Sequence, residues 1–489
     1  MRQLRLGAPL LTAAIVLAAC EDTSRPVAPR PKAADAAVSL SVGAANEVIA
    51  DQHVFVLDGN RTGADIASDV AAAGGTIVYS MDEIGVVLVK GLSNEAAERI
   101  AQGKGQVAND VSAQWLPSVE YKVEEMAVDA SATPGTASIG EPELAFFYRR
   151  GWQWNMEITD TDDAWFRQYN GVPNVRVAIL DTGLDPYHQD QMGLIDVASS
   201  RAFIPSVTGP PEWQDDHFHG THVGGIVTSN NFGTAGVAPD VTLVAVKVLS
   251  STGSGSFGAV IAGIYYAASI GVDVINMSLG AYFEKSGNTA LLMAALNRAV
   301  NYAHSKDVFV VAAAGNNATD LQHDENRIFV PCETGVLSCI SATGPSDLPA
   351  YYTNYGSNVI NNAAPGGDFR QPDRTPPPGP SPLGFVLSLC TTRSVNPGLA
   401  ACRPPMGLPG TFYVWAQGTS MAAPHIAGLG AYLDSQYGGT LNGSQILTQI
   451  QQNADDLGKP GTDPFYGKGR MNTCRTLPAC ALLPQPDNP

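Results

Sequence analysis

The sequence has little charge and a shortage of basic residues. Only 15% of the 489 residues are charged, with 28 Lys and Arg against 46 Asp and Glu, so the formal net charge is −18. Proteins that bind nucleic acid or an anionic membrane surface need a basic patch, and this balance argues against both partners. The chain also lacks a three-residue glycine period, which excludes collagen. Beyond one apolar stretch near the N-terminus it has no long apolar run, which excludes a polytopic membrane protein.

What is present is typical of a globular protein. Hydrophobic residues make up 44% of the chain, and 50 Gly and 34 Pro indicate many turns and long connections. At about 150 residues per domain, the length predicts roughly three structural pieces.

The N-terminus has the pattern of an export signal. Arg2 and Arg5 precede a short apolar stretch at residues 7–19, as in secretory signals. A simple signal peptide cut near Ala19 is one interpretation. The other, which we favour, is that Leu-Ala-Ala-Cys resembles the lipobox of bacterial lipoproteins, with Cys20 as the lipidated residue. Either way the protein is expected to be exported, outside the cell or in its envelope, and to meet a membrane only through a lipid anchor.

Composition and hydrophobic patterning divide the rest of the chain. Residues 47–122 follow the order strand, helix, strand, strand, helix, strand, which predicts a small α+β domain of the split βαβ (ferredoxin-like) type. The predicted segments are a signal (1–19), a flexible Ala- and Pro-rich tether (20–46), the α+β domain (47–122), a polar linker open to proteolysis (123–145) and a large domain (146–489).

The large domain alternates apolar strand-like runs with helical patterns. This predicts an α/β fold with a mostly parallel sheet and helices on both faces. Ligands of such folds bind at the carboxyl ends of the strands. A Pro-rich stretch at residues 366–410 interrupts the pattern, and we expect it to be a long surface insertion.

Six cysteines remain after Cys20, and an even number in an exported protein favours disulfides over free thiols. Fifteen connectivities are possible, and the grouping in sequence favours three local pairs. A zinc site is the alternative, but the chain has no C-x-x-C spacing. The expected pairs are Cys332–Cys339, Cys390–Cys402 and Cys474–Cys480.

Two candidate polar residues follow apolar strands. Asp181 ends the run at residues 177–180, where a buried carboxylate is costly unless it is paired. Asn316 follows the run at residues 311–314, and its amide can donate to an oxyanion. Each has an ordinary alternative as a turn or helix-cap residue.

Two further segments begin predicted helices. Ser420 lies in Gly-Thr-Ser-Met-Ala-Ala-Pro-His, where helix N–H groups and the helix dipole favour a developing oxyanion. An ordinary N-cap is the alternative, and Thr419 could fill that role. His217, His219 and His222 form the other segment. A zinc cluster is possible there, but the Glu of the H-E-x-x-H pattern is missing.

Taken in their order along the chain, with Asp181 first, then His219, Asn316 and Ser420, the four segments resemble the subtilisin-like serine proteases (subtilases, peptidase family S8). The catalytic residues of that family run Asp, His, Ser along the chain. The resemblance covers residues 152–481 and implies a serine endopeptidase that needs no cofactor for its chemistry. It implies that Ser420 is the nucleophile and His219 the general base. Asp181 would orient the imidazole, and Asn316 would stabilise the oxyanion.

The resemblance also implies how extended polypeptide substrates bind. Small residues at two strand edges would let another backbone approach and pair with them. The implied contacts are Gly253, Ser254 and Gly255 on one edge, Ser278, Leu279 and Gly280 on the other, and Ala313, Ala314 and Gly315 as a pocket wall.

The 47–122 domain resembles the inhibitor propeptide of the same family. It would assist folding, inhibit the enzyme like a bound product, and be removed by self-cleavage in or before the linker. The chain would then be a monomeric zymogen. The rival from another class is a catalytically silent peptide-binding protein on the same scaffold, and a zinc hydrolase is a second rival.

Two departures from the family pattern carry expectations. Phe218 stands where subtilases usually have Gly, and we expect it to crowd a substrate subsite. Asp190 stands where some subtilases have a calcium ligand, although the following loop at residues 229–236 is shorter than theirs. Structural calcium through oxygen ligands is therefore possible there.

Overall fold

The computed structural model describes residues 46–116, 121–122, 141–167, 172, 174–371, 384–395 and 412–481. Residues 1–45 with Cys20, the linker at residues 123–140, and Cys402 lie outside the described residues. Within the described ranges, no helix combines the length and the apolar character needed to cross a membrane.

A small α+β unit comes first, with the predicted order of elements. Its elements are β1 (Glu47–Leu57), α1 (Ala64–Ala72), β2 (Thr76–Met81), β3 (Val86–Lys90), α2 (Asn94–Ala101) and β4 (Gly105–Gln114). The four strands form an antiparallel sheet in the order β2-β3-β1-β4. Ser93 caps α2 by accepting a hydrogen bond from the Ala96 N–H.

The large unit contains the remaining elements. They are β5 (Tyr121–Lys122), α3 (Trp154–Ile158), α4 (Thr161–Phe166), β6 (Arg176–Asp181), β7 (Arg201–Ala202), α5 (His219–Val227), β8 (Thr242–Lys247), β9 (Ser254–Ser256), α6 (Phe257–Ser269), β10 (Val274–Met277), β11 (Ala281–Glu284), α7 (Gly287–Ser305), β12 (Phe309–Ala313), β13 (Arg327–Val330), β14 (Ser338–Thr343), β15 (Ile360–Pro365), β16 (Val386–Cys390), β17 (Phe412–Ala416), α8 (Thr419–Gln436), α9 (Gly443–Asn453), α10 (Thr473–Thr476) and α11 (Pro478–Ala481).

A seven-stranded parallel sheet organises this unit, in the order β15-β14-β12-β10-β6-β8-β7. Successive side chains of a strand point to opposite faces. On β6, Val177 and Ile179 join the core beneath α5, α8 and α9, whereas Ala178 and Leu180 join the core beneath α6 and α7. The sheet is therefore covered on both faces, and the predicted α/β fold is confirmed.

The two units share a hydrophobic core and a continuous sheet. Val54 and Val56 of β1 belong to the same apolar cluster as α6 and α7, while Phe55 and Leu57 face α1 and α2. The end of β4 also pairs antiparallel with β9, extending the small sheet to five strands. The small unit thus docks on the large one through both apolar packing and backbone hydrogen bonds.

The expectation of a surface insertion at residues 366–410 is wrong for part of that stretch. β16 pairs antiparallel with β17, which pairs in turn with β5. All five residues of β16 are buried, and Ser388 Oγ donates to His222 O of α5 at 2.8 Å. A Cβ on Gly225 of α5 would lie 2.5 Å from Leu389 Cγ, so this helix needs glycine to accept the strand.

Two of the three expected disulfides are confirmed. Cys332 bonds to Cys339 and Cys474 bonds to Cys480. Cys390 is also disulfide-bonded, and Cys402, its expected partner, lies outside the described residues.

Candidate active site

The fold brings three predicted residues from distant elements to one edge of the parallel sheet. Asp181 is the last residue of β6, His219 the first of α5 and Ser420 the second of α8. His219 Nδ1 lies 2.8 Å from Asp181 Oδ1 and 3.0 Å from Oδ2. Both side chains are fully buried. A neutral imidazole with its proton on Nδ1 leaves Nε2 as a base, which is the arrangement a Ser–His–Asp triad requires.

Ser420 is not hydrogen-bonded to the histidine in this state. Its Oγ donates to Ser278 O at 3.1 Å, and His219 Nε2 is buried without a hydrogen-bond partner among the described residues. Such catalytic contacts are often loose before substrate binds.

Asn316 is oriented by its own side-chain oxygen. Asn316 Oδ1 accepts hydrogen bonds from Thr419 N at 2.9 Å and Thr419 Oγ1 at 2.8 Å. The amide group that can donate, Nδ2, therefore points away from Thr419 and beside Gly418, where an added Cβ would lie 3.0 Å from it. Ser420 N lies in the first turn of α8, where N–H groups have no helical acceptor. Asn316 Nδ2 and Ser420 N are thus two donors at the start of the helix that carries the serine.

The loop before α5 is held by Asp215. Its carboxylate is fully buried and accepts hydrogen bonds from His217 N, Phe218 N and the N–H and hydroxyl of Thr221. It also accepts from Thr182 Oγ1 at 2.9 Å. Burial raises the pKa of Asp215 to about 6 against the effect of these donors. The carboxylate therefore ties the residue after Asp181 to the start of the helix that carries His219.

The expectation that Phe218 crowds a substrate subsite is wrong. Its side chain is 1% exposed and belongs to the main core. Its φ of +153° lies in the region that favours glycine, so the chain accepts backbone strain in exchange for burying an aromatic ring. The ring stacks on His217 with centroids 4.8 Å apart.

The three histidines of this segment do not converge on one point. His222 Nε2 lies 3.0 Å from Val414 O, and burial lowers the pKa of His222 to about 3. Burial, followed by the influence of His219, lowers the pKa of His217 to about 4. Across the ranges that the structure covers, no three metal-ligating side chains group together.

The two predicted substrate edges lie on either side of a segment of the small unit. Ala113 of β4 pairs with Gly255, and Leu116 N donates to Gly253 O at 3.1 Å. From the other edge, Gly280 N donates to Trp115 O at 2.9 Å.

The remaining predicted residues lie nearby. Ser278 O accepts the Ser420 hydroxyl, Gly315 N donates to Thr419 Oγ1 at 2.9 Å, and Leu279 is buried in the core shared with the small unit. Ala313 and Ala314, at the end of β12, are buried.

Sequence reasoning missed the role of Trp115. Its side chain is fully buried, with ring centroids 5.5 Å from Phe257 and 5.7 Å from Phe283. Trp115 Nε1 donates to Gly255 O at 2.9 Å. A single tryptophan directly after Ser112, Ala113 and Gln114 was the available signal, because large aromatic residues are enriched at interfaces.

Asp190 does not fit a cation. Its Oδ1 accepts from Phe232 N at 2.7 Å, and its Oδ2 from Gly233 N at 2.9 Å and Thr234 N at 3.2 Å. Tyr413 Oη adds a fourth hydrogen bond, to Oδ2 at 2.7 Å. The nearby carbonyls of residues 232 and 233 accept from the N–H groups of residues 146 and 147. Hydrogen-bond donors therefore occupy the oxygens that calcium would need.

Known proteases are similar to this chain over most of its length. The model of the "Subtilase family" matches residues 173–469. Subtilisin E of Bacillus subtilis (strain 168) is 32% identical over 362 residues, 73% of this chain and 80% of that protein. Thermitase of Thermoactinomyces vulgaris is 32% identical over 62% of this chain and 88% of its own length.

Two solved structures are also similar. A lanthipeptide protease is 28% identical with a TM-score of 0.57, covering 67% of this chain and 94% of its own. The epidermin leader peptide processing serine protease of Staphylococcus aureus is 21% identical with a TM-score of 0.65, covering 89% and 99%. The chain is thus a serine protease, a hydrolase that acts on polypeptides. It belongs to the subtilase family.

Proposed function

We propose that this chain is the zymogen of an exported, monomeric serine endopeptidase, and that residues 47–122 are its inhibitor propeptide. One observation carries the proposal. The chain leaving β4 passes between the two strand edges beside the candidate triad, as an extended substrate would. It then continues into β5, which pairs with the strand that leads to Ser420.

The docking of the small unit supports inhibition. Asp110 of β4 is fully buried, and its carboxylate accepts from Gly258 N, in the first turn of α6, at 2.9 Å. Burial raises the pKa of Asp110. A Cβ on Gly258 would lie 2.7 Å from Leu88 Cδ1 and 2.8 Å from Asp110 Oδ2. This close fit holds the small unit on α6, while Ala113, Trp115 and Leu116 pair with the two strand edges that a substrate would use.

The same contacts narrow the position of self-cleavage. Leu116 is held at Gly253, and Tyr121 pairs with Ala416, four residues before Ser420. Leu116 and Tyr121 are thus the described residues on either side of the bonds that we propose for self-cleavage. We expect the first cleavage there, at the N-terminal side of the linker at residues 123–145.

The chemistry follows from the placement of the donors and the base. Ser420 Oγ attacks the scissile carbonyl carbon while its proton passes to His219 Nε2. Asn316 Nδ2 and Ser420 N donate to the oxyanion that forms. The C–N bond then breaks, the proton moves to the leaving amine, and an acyl-enzyme remains. Water, deprotonated by the same imidazole, hydrolyses the ester and regenerates the serine.

Export follows from the N-terminal pattern, and we propose that Cys20 carries a lipid. Because the lipid and the propeptide both precede the cleaved segment, self-cleavage would release the catalytic unit from the anchor. Mature enzyme found only in membrane fractions would contradict this release.

The experiment is intact mass spectrometry of the chain expressed without residues 1–20, compared with its Ser420→Ala variant. We expect the wild type to yield an N-terminal fragment that ends between residues 116 and 120, while the variant stays intact. A first cut within residues 123–145 would refute the assigned position. If the wild type stays intact and a serine-directed fluorophosphonate does not label it, the silent peptide-binding alternative is correct.

A further inference from the structure

A buried lysine lies beside the candidate triad, and the chemistry above does not use it. Lys247 ends β8 and is in register with Asp181 on the neighbouring strand. Its side chain is 0% exposed. Lys247 Nζ donates to Thr182 O at 2.6 Å, Leu249 O at 2.7 Å and Asp216 Oδ1 at 2.8 Å. All three ammonium protons are therefore engaged.

Asp216 is the acidic partner, and it lies three residues before His219. Its side chain is 1% exposed. Besides Lys247, its Oδ2 accepts from Val207 N at 2.9 Å, and its backbone carbonyl accepts from Val395 N at 3.0 Å. Asp216 thus joins the loop that leads to His219 to three separate segments.

The ion pair connects the two loops that carry the triad's base and acid. Through Thr182 O, the ammonium holds the residue after Asp181, and through Asp216 it holds the loop before His219. Burying two charges is expensive, and an apolar pair of the same size is often as stable. Stability is therefore a weak reason for keeping the pair, whereas position and charge are reasons specific to this site.

Other titratable groups lie around the pair. They are Asp181 on β6, Asp185 after it, Asp215 and His217 in the loop, and His219 and His222 on α5. The segments at residues 203–207 and 391–395 contribute backbone N–H groups at these contacts. Lys247 pairs with Asp216 among these groups, and its charge also acts on Asp215 and His217.

We propose that Lys247 and Asp216 are positioning residues whose opposite charges set the lower pH limit of the protease. The base His219 must be neutral to accept the serine proton. An unpaired Asp216 carboxylate would stabilise the imidazolium, and an unpaired Lys247 would destabilise it. In water-excluded surroundings, one uncompensated charge roughly 10 Å from an imidazole shifts its titration by about one pH unit.

The test measures kcat/KM against pH with a peptide substrate. The enzyme is produced from the full chain and used after maturation, and fluorophosphonate labelling counts its active sites. We expect Lys247→Met to move the acidic limb of the kcat/KM profile toward higher pH by about one unit. Protonation of Asp215 would offset part of this shift. We expect Asp216→Asn to move the limb downward. The double variant, which has neither charge, should return to within about 0.3 unit of the wild type.

A matched control lies at the other end of β6, where Arg176 pairs with Asp196 at 3.6 Å. Arg176→Met should leave the limb unchanged. Shifts of the same sign in both single variants, or no shift in either, would overturn the proposal. If Lys247→Met does not fold, Asp216→Asn and the double variant still give the comparison. The inference rests on protease activity and does not depend on self-processing. If fluorophosphonate does not label the wild type, that result contradicts the protease activity and not the role of Lys247 and Asp216.

Discussion

The contact of Trp115 with the large unit gives a quantitative test of inhibition. Trp115→Ala removes a fully buried indole and its hydrogen bond from Nε1 to Gly255 O. The backbone hydrogen bonds from Trp115 N to Gly253 O and from Gly280 N to Trp115 O remain. The variant therefore isolates the side chain from the strand pairing.

Truncating a buried Trp costs about 3–5 kcal/mol. The pocket between Phe257 and Phe283 opens to solvent when the small unit leaves, so we take the lower value of about 3 kcal/mol. This corresponds to a roughly 10²-fold weaker inhibition constant. Trp115→Phe keeps most of the ring but loses the hydrogen bond, worth about 1 kcal/mol, and should weaken inhibition about fivefold.

The assay adds residues 46–116, in each variant, to the matured enzyme and measures inhibition of peptide hydrolysis. Circular dichroism establishes that each fragment is folded, and Val48→Ala, at a 60% exposed position, serves as the control. An inhibition constant of Trp115→Ala within threefold of the wild type would refute the assignment of the cleft contact. If the fragments are unfolded alone, the same variants in the full chain should mature into active enzyme faster.

Three further predictions concern single side chains. Asn316→Leu should lower kcat roughly 10²–10³-fold with KM little changed, which is the loss found in a subtilisin when the equivalent donor is removed. Asn317→Ala, at the exposed neighbouring position, is the control, and a loss of kcat under tenfold in Asn316→Leu would contradict the oxyanion role of Asn316. Tyr413→Phe removes a hydrogen bond to the Asp190 carboxylate and should lower the unfolding free energy by about 1–3 kcal/mol. If added calcium restores the unfolding free energy of this variant, a cation does bind at Asp190. Burial lowers the pKa of His425 to about 4, below its unfolded value of about 6.5, so its contribution is complete above pH 6.5 and is lost toward pH 4. In a Ser420→Ala background, His425→Gln should reduce the slope of unfolding free energy against pH, between pH 4.5 and 6, by about one proton, whereas exposed His323→Gln should not.

Local patterns predicted the strands and helices that carry the site, but not every residue with which their side chains pair. The apolar run around β8 indicated a buried strand, and the glycines and small residues around Ser420 indicated a close-packed helix start. Lys247 inside that apolar run was a signal that went unused, since a buried lysine requires a carboxylate partner. Its partner, Asp216, lies 31 residues away, and no local pattern relates the two.

Two expectations failed because burial depends on which segments pack together in the folded chain. Phe218 was expected at a substrate subsite, but its unusual backbone angle directs the ring into the core. The Pro-rich composition of residues 366–410 hid β16, whose burial against α5 requires the glycine at residue 225. At Asp190, where the sequence left calcium possible, the carboxylate accepts hydrogen bonds from the N–H groups of residues 232–234.

By itself, the sequence determined the order of the candidate catalytic residues along the chain and the alternation of strands and helices. Both rest on residue types and short spacings. The tertiary structure alone decided that residues 112–116 lie in the cleft, since that placement depends on β4 pairing with a strand about 140 residues later. It also decided which buried charges face one another beside His219. These contacts join segments far apart in the chain, and their energies come from packing and desolvation that exist only after folding.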